Sequence, residues 1–293
     1  MNSFVNKCIK WLAYKGCLNI LPDKVYLQLL FRAHVGYKLN LERPLTYNEK
    51  LQWLKLYDRK DIYTMLVDKY EVKEIIGNKI GNEYIIPTIG VWDTVEEVDF
   101  DSLPDRFVLK CTHDSGGIIV CKNKDSFDIN NAKKILAKSM QKSYFYSGRE
   151  WPYLNIKPRI IAEEYIGDIE KVPEDYKFYT FNGEIDSVML CKDREKGYPK
   201  FFFYDMEWNR LEYQRIEPNS ETPINMPPNF DKMIEIVKML AKDFLQIRVD
   251  LYNINGKIYF GELTFFNQSG FDIDITYDTD LYWGNKFELP ERS

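Results

Sequence analysis

The 293-residue chain is 45% hydrophobic and 29% charged, enough apolar material to bury a large core in more than one lobe. Its net charge of −5 excludes a basic field over the whole surface, and with it nucleic acid as the expected partner. Two histidines, His34 and His113, exclude a multi-histidine zinc centre, and no apolar run reaches the ~18 residues of a membrane span. The five cysteines form no CxxC pair and are odd in number, so reduced thiols in a cytoplasm are the expectation.

The start, MNSFVNKCIKWLAYKG, is interrupted by Lys7 and Lys10 before a signal-type apolar core forms, and reads as an amphipathic helix packed on the body. Residues 1–50 carry eight Lys/Arg against three Asp/Glu, a basic patch in an acidic chain. From Asp23 to Tyr57 the pattern is helical with a break at Pro44, and Thr46 and Glu49 have capping-box spacing ahead of Leu51, Trp53 and Leu54. A further helix is predicted from about Asp61 to Ile76, ending near Gly77 and carrying Asp68-Lys69. An extended segment over residues 84–91 follows.

Phe107–Lys110 and Ile118–Cys121 are short apolar runs separated by Thr112, His113, Asp114, Ser115, Gly116 and Gly117, which predicts strand, polar glycine loop, strand. Asn130 and Asn131 are candidate caps for a helix over Ile135, Leu136 and Met140. RIIAEEYI, from Arg159 to Ile166, reads as a buried strand ending in Glu163 and Glu164. A second lobe opens with strands over 176–181 and 184–190 joined by Asn182-Gly183, adds a pair at 201–204 and 211–216, and continues in a helix from Phe230 to Phe244.

The helix leads into a hairpin, IRVDLYNINGKIYFGELTF, on which function turns. A two-residue loop at Asn255-Gly256 would pair Val249 with Glu262 and put Asp250 on the other face. A three-residue loop, Ile254 to Gly256, would pair Arg248 with Glu262 and place Arg248, Asp250, Glu262 and Thr264 together. The second register is the expected one if the carboxylates act jointly, because such a pair suits Mg²⁺ and phosphate oxygens. The plain alternative is a solvated strand face.

Each remaining signal has an equally plain alternative. Lys69 on a helix is ordinarily a surface lysine, the glycine loop beside Lys110 an ordinary turn that could also wrap an anion, and Glu163-Glu164 a solvated strand exit. GxxxxGK, GxGxxG, GxSxG and HExxH are all missing, so nucleotide binding would need another architecture.

In sequence order, DKY, VLK with the glycine loop, IIAEEYI and RVDLY…GEL form a series. The chain resembles the ATP-grasp superfamily and, within it, the TupA-like family linked to teichuronopeptide and other surface-polysaccharide biosynthesis. The resemblance runs from about Arg43 to Gly270, through NEKLQWLKLYDR, LPDRFVLKCTHDSGG, GREWPYLNIKPRIIAEEYI, DYKFYTFNGE and RVDLYNINGKIYFGELTF. It implies an α+β, ATP-grasp fold: residues 1–60 a helical element, 61–104 a preceding segment, 105–166 a small lobe with the glycine flap, and 167–293 a large lobe with the metal site.

It further implies ATP and Mg²⁺ as cofactors. Lys69 and Lys110 would contact phosphates, the loop Thr112–Gly117 would close over them, and Glu163, Glu164, Tyr165 and Ile166 would form the hinge at adenine. Ribose would meet Glu163, with Asp175 a further candidate. Asp250 and Glu262 match the family's metal ligands, and Arg248 the residue that steadies the reacting acyl group. Where the superfamily commonly has Asn two residues after the metal-binding Glu, this chain has Thr264, with Asn267 as a substitute ligand.

The implied activity is a carboxylate–amine ligase acting through an acyl phosphate. Its partners would be a small-molecule amine and a carboxylated sugar or glycan, with peripheral contact to membrane-bound glycan machinery. His113 or Asp193-Arg194 could touch the acceptor. A metal-dependent glycosyltransferase is the alternative raised by Asp272-Ile273-Asp274 and Asp278-Thr279-Asp280, and an inactive nucleotide-binding protein is a third reading.

Overall fold

The computed structural model describes residues 3–167, 173–193, 197–218 and 223–291. The helix Ser3–Tyr14 packs through Ile9 and Ala13 but leaves Phe4, Trp11 and Tyr14 exposed. No described helix is long and apolar enough to cross a membrane. Helices Asp23–Val35 and Tyr47–Tyr57 follow. The second begins in the predicted capping box, with Thr46 Oγ1 accepting from the Glu49 N–H and Glu49 Oε2 accepting from the Thr46 N–H.

Asn48, Gln52 and Lys55 on this helix are buried because they hold the chain's carboxyl-terminal segment. The Asn48 amide exchanges bonds with the Asp272 backbone (2.9 and 2.8 Å), Gln52 donates to the Gly270 carbonyl (2.6 Å) and Lys55 to that of Ser269 (2.7 Å).

The helix predicted over 61–76 is two, Ile62–Val67 and Glu71–Ile80. Asp68 breaks it: its Oδ1 accepts the N–H groups of Tyr70 (2.8 Å) and Glu71 (3.2 Å), starting a new helix, while Arg159 holds Oδ2 at 2.9 Å. The second helix runs through Gly77 and stops at Gly81, where φ is +110°.

Strands β1 (Thr88–Trp92), β2 (Phe107–Cys111), β3 (Ile119–Cys121) and β4 (Ile160–Glu164) form an antiparallel sheet in the order β1-β4-β2-β3. The helix Ile129–Met140 covers it through Ala132 and Leu136, which pack with Phe107, Leu109, Ile160 and Ala162. Its cap is Asp128, whose carboxylate accepts from the Asn131 N–H (2.9 Å), rather than Asn130 or Asn131. A carboxylate there also meets the positive end of the helix dipole.

The second sheet holds β5 (Asp175–Phe181), β6 (Glu184–Lys192), β7 (Lys200–Tyr204), β8 (Arg210–Leu211), β9 (Gln246–Ile254) and β10 (Lys257–Thr264), in the order β10-β9-β5-β6-β7-β8. The strand predicted over 211–216 shrinks to β8, and Gln214 instead bridges to Ile275. The apolar face of the helix Phe230–Ala241, including Met233, Val237 and Leu240, joins the core with Phe178, Val188 and Val249. The sheet's other face carries the polar residues described next.

Candidate functional site

The β9–β10 turn is the two-residue Asn255-Gly256, with φ of +53° and +90°, as a type I′ turn requires. The expected three-residue loop is therefore not formed. Lys257 pairs with Ile254 and Phe260 with Leu251, a register that would carry Glu262 to the wrong face if continued. A bulge at Gly261 restores the parity: Glu262 pairs with Asp250, Leu263 with Val249 and Thr264 with Arg248. A Cβ at Gly261 would lie 2.9 Å from the Asp250 carbonyl oxygen, which is why glycine stands there. Arg248, Asp250, Glu262 and Thr264 share a face after all.

Arg248 is the hub of that face. Its Nε and one Nη grip Asp250 at 2.7 and 2.8 Å, and that same Nη reaches Glu262 Oε1 at 3.1 Å and Thr264 Oγ1 at 3.0 Å. The other Nη donates to Asn267 Oδ1 at 2.5 Å. Lys177, on β5 directly opposite Asp250, ion-pairs with Asp250 and, at 2.7 Å, with Asp175. Burial works against the Asp250 charge, yet Arg248 and Lys177 outweigh it and hold the carboxyl below its usual range. Glu262 differs, its side chain 49% exposed against 2% for Asp250.

The small lobe supplies the facing groups. Lys110 on β2 ion-pairs with Glu163 Oε2 at 2.5 Å, and Lys73 takes Oε1 at 2.6 Å. Burial raises the Glu163 pKa, but the two lysines overcome it and leave the carboxyl low. Glu163, expected at ribose, is thus buried between two lysines, while its neighbour Glu164 is exposed at the strand's end, with Tyr165 and Ile166 half-buried beyond it. In the glycine loop Thr112, His113 and Asp114 are buried, and Asp114 accepts from Ser139 and from the Gly116 N–H. Ser115 and Gly116 are exposed, and Gly117 takes φ +66° where a Cβ would meet Ser139.

Lys69 donates to the Asp114 carbonyl. Burial lowers its pKa, with Glu262 opposing the fall and Lys110 adding to it.

One cavity of about 430 Å³ joins the two halves, lined by Ser115 of the loop, Glu150, and Arg248, Glu262, Thr264 and Asn267 of the hairpin side. A second, of about 220 Å³, meets it at Arg248 and Asn267 and extends over Lys177, Phe201 and Phe203 to Asp272. The first is of a size that suits small-molecule ligands.

A family model described as TupA-like ATPgrasp matches residues 49–288. The chain belongs to the TupA-like ATP-grasp family. The two αβ lobes facing one cleft are accordingly those of an ATP-grasp fold. Solved structures to which it is similar include D-alanine–D-alanine ligase from Helicobacter pylori (15% identity, TM-score 0.43, covering 83% of this chain and 69% of that one). Others are the L-amino acid ligase from Bacillus licheniformis (11%, 0.42, 89% and 55%) and a D-cycloserine synthetase (12%, 0.42, 77% and 70%). The chain spans 55% to 70% of the length of these proteins. No curated protein matches the sequence.

The donor set around Glu262 fits a hard divalent cation in its chemistry: two carboxylates facing across the strand pair, the Thr264 hydroxyl and the Asn267 amide oxygen. Arg248 bridges the two carboxylates in this structure, so Asp250 becomes available only as Arg248 or Lys177 turns aside. Among the described residues no group of three or more His, Cys, Asp or Glu side chains is arranged to hold a metal ion.

Of the late DxD residues, Asp272 accepts from Asn267 at 2.9 Å and Asp280 from the Asn48 N–H at 2.8 Å, while Asp274 and Asp278 are exposed. Of the acceptor candidates, His113 is buried beside the Lys142 carbonyl, and Arg194 lies outside the described residues.

Sequence reasoning missed Lys73, Lys177 and Glu150. An Asp-x-Lys in the wholly buried strand β5 was a usable signal for Lys177, since buried charges are paired. Glu150 had none.

Proposed function

We propose that the chain is an ATP-dependent ligase joining a carboxylate to an amine through an acyl phosphate. The observation that carries this reading is the single cavity shared by the glycine loop and the Arg248–Glu262 face. Lys69 and Lys110 would neutralise phosphate oxygens from the small lobe, with the backbone of Ser115–Gly117 closing over them. Glu164, Tyr165 and Ile166 would border adenine; Glu163 would act chiefly by fixing Lys110, with ribose near it and Asp175. Glu262 would hold Mg²⁺ from the cavity side, with Asp250 behind it and Thr264 or Asn267 completing the protein's share.

When bound, the metal supplies charge neutralisation for phosphoryl transfer. The substrate carboxylate takes the γ-phosphoryl group and ADP leaves. The amine gives up its ammonium proton to water, and its free nitrogen attacks the carbonyl carbon. The C–O bond to phosphate breaks, a second proton leaves the nitrogen as the amide forms, and Arg248 steadies the oxyanion. Positioning in the closed cavity provides much of the rate.

By family resemblance the carboxylate is a uronic acid of a surface glycan or its precursor and the amine an amino acid, in a cytoplasmic enzyme meeting membrane-bound glycan machinery peripherally. The test is ADP release by the purified protein with Mg²⁺, ATP, uronic-acid glycans and amino acids. Stimulation by a carboxylate–amine pair is expected, and none across a broad panel rejects the ligase. Glu262→Gln is the cleanest accompanying variant, because its half-exposed side chain can change without leaving a buried charge unpaired.

A further inference from the structure

Glu150 is 4% exposed, yet lines the same cavity as Arg248 and Glu262. The phosphate-facing lysines do not line that cavity. The carboxylate accepts from the Ser269 hydroxyl, and no ion pair among the described residues reaches it. Lys55 is the neighbouring buried cation, but its ammonium is already held by the carbonyls of Gly148 (2.7 Å) and Ser269 (2.7 Å) and by Gln52 Oε1 (3.2 Å).

The contrast with Asp250 is informative. Both carboxylates are buried, but Asp250 is held low by two bonded cations, whereas burial pushes Glu150 up and Lys55 only partly opposes it. A buried carboxylate that faces a cavity with no cation bonded to it is incomplete in a way that a ligand cation would correct.

A carboxylate–amine ligase brings in such a cation, because amines are protonated at neutral pH. Resting on the ligase reading, we propose that Glu150, set by Ser269, is the group that receives the ammonium of the amine substrate on the wall of this cavity. The other charged group on that cavity's wall besides Glu262 is Arg248, and it is engaged by Asp250, so the lining favours a cation. The substrate class is a small primary amine such as an amino acid, within a cavity of about 430 Å³.

The test is ligand-observed NMR on the full chain with Mg²⁺ and a nonhydrolysable ATP analogue. The probes are the common amino acids and their N-acetyl derivatives, which lack the ammonium. Wild type should bind one or more free amino acids and none of the acetylated forms. Glu150→Gln should weaken that binding at least ~10-fold while leaving the affinity for the ATP analogue unchanged. Glu150→Asp, keeping the charge, should recover part of the loss.

Wild type that binds no free amino acid, or binds acetylated forms equally well, overturns the proposal without reference to any variant. So does a folded Glu150→Gln that binds as tightly as wild type. ADP release reports on the ligase reading separately, since a protein can bind amines at Glu150 and still show no turnover.

Discussion

The two lobes present opposite surpluses of charge to one cleft. On the small-lobe side three lysines, Lys69, Lys73 and Lys110, stand against Glu163 and Asp114; on the large-lobe side Arg248 and Lys177 stand against Asp175, Asp250 and Glu262. Neither cluster is complete alone. The cationic side lacks an anion, as a triphosphate would provide, and the acidic side ends in a half-exposed carboxylate suited to a cation. In each cluster most charges neutralise their own neighbours, which lets the groups stay buried and in place. On the small-lobe side, the Glu262 carboxylate opposes the fall in the Lys69 pKa that burial causes.

Removing a charge from the acidic cluster should show the largest effect. Asp250→Asn strips Arg248 and Lys177 of their shared partner and should cost about 3–5 kcal/mol in urea unfolding as well as turnover. A stability within ~0.5 kcal/mol of wild type would mean the cluster is not a unit. Glu262→Gln is the counterpart, with turnover lost and stability nearly unchanged, because a half-exposed pair contributes little. Equal destabilisation by the two changes would erase the distinction between inner and outer carboxylate.

Next in size is Gly261→Ala. The added methyl would press on the Asp250 carbonyl, so the bulge must shift; about 1–3 kcal/mol of destabilisation is expected, along with loss of the Glu262–Asp250 register. Nearly normal Mg²⁺-dependent activity in this variant would show that the bulge is not what brings the carboxylates together.

A separate effect should appear in the pH dependence. Burial lowers the Lys55 pKa from 10.5 to about 7, with Glu150 opposing. Between those values the unfolded chain holds a proton that the folded chain does not, so Lys55 makes stability rise with pH from about 7 to about 10.5. Lys55→Met should flatten that slope relative to wild type, and an unchanged slope would contradict it. Smallest is Thr46→Ala, which removes half of a capping box and should cost about 1 kcal/mol in thermal unfolding.

Most strands and the capping box were legible because each rests on local pattern, namely alternation, turn residues and N-cap chemistry, whereas the ATP-grasp fold was legible only through resemblance to the family. The Gly261 bulge was written less plainly. Ile258, Tyr259 and Phe260 are buried in succession, and that lapse in alternation just before a glycine is the trace a bulge leaves. Lys177 opposite Asp250 depends on the pairing of β5 with β9, some seventy positions apart in the chain, which no local window contains. Glu150 is further still from local signals, since its place on the cavity follows from Ser269 and the packing of Lys55. The break at Asp68 was hidden by a long helical periodicity that an Asx turn and Arg159 override.

The central claim is that ATP and magnesium sit between the two complementary clusters. A crystal structure of the chain with a nonhydrolysable ATP analogue and Mg²⁺ tests it most directly. The account predicts phosphates against Lys69 and Lys110, Ser115–Gly117 over them and the metal on Glu262. A nucleotide bound elsewhere, or a metal with no contact to Glu262, would contradict it.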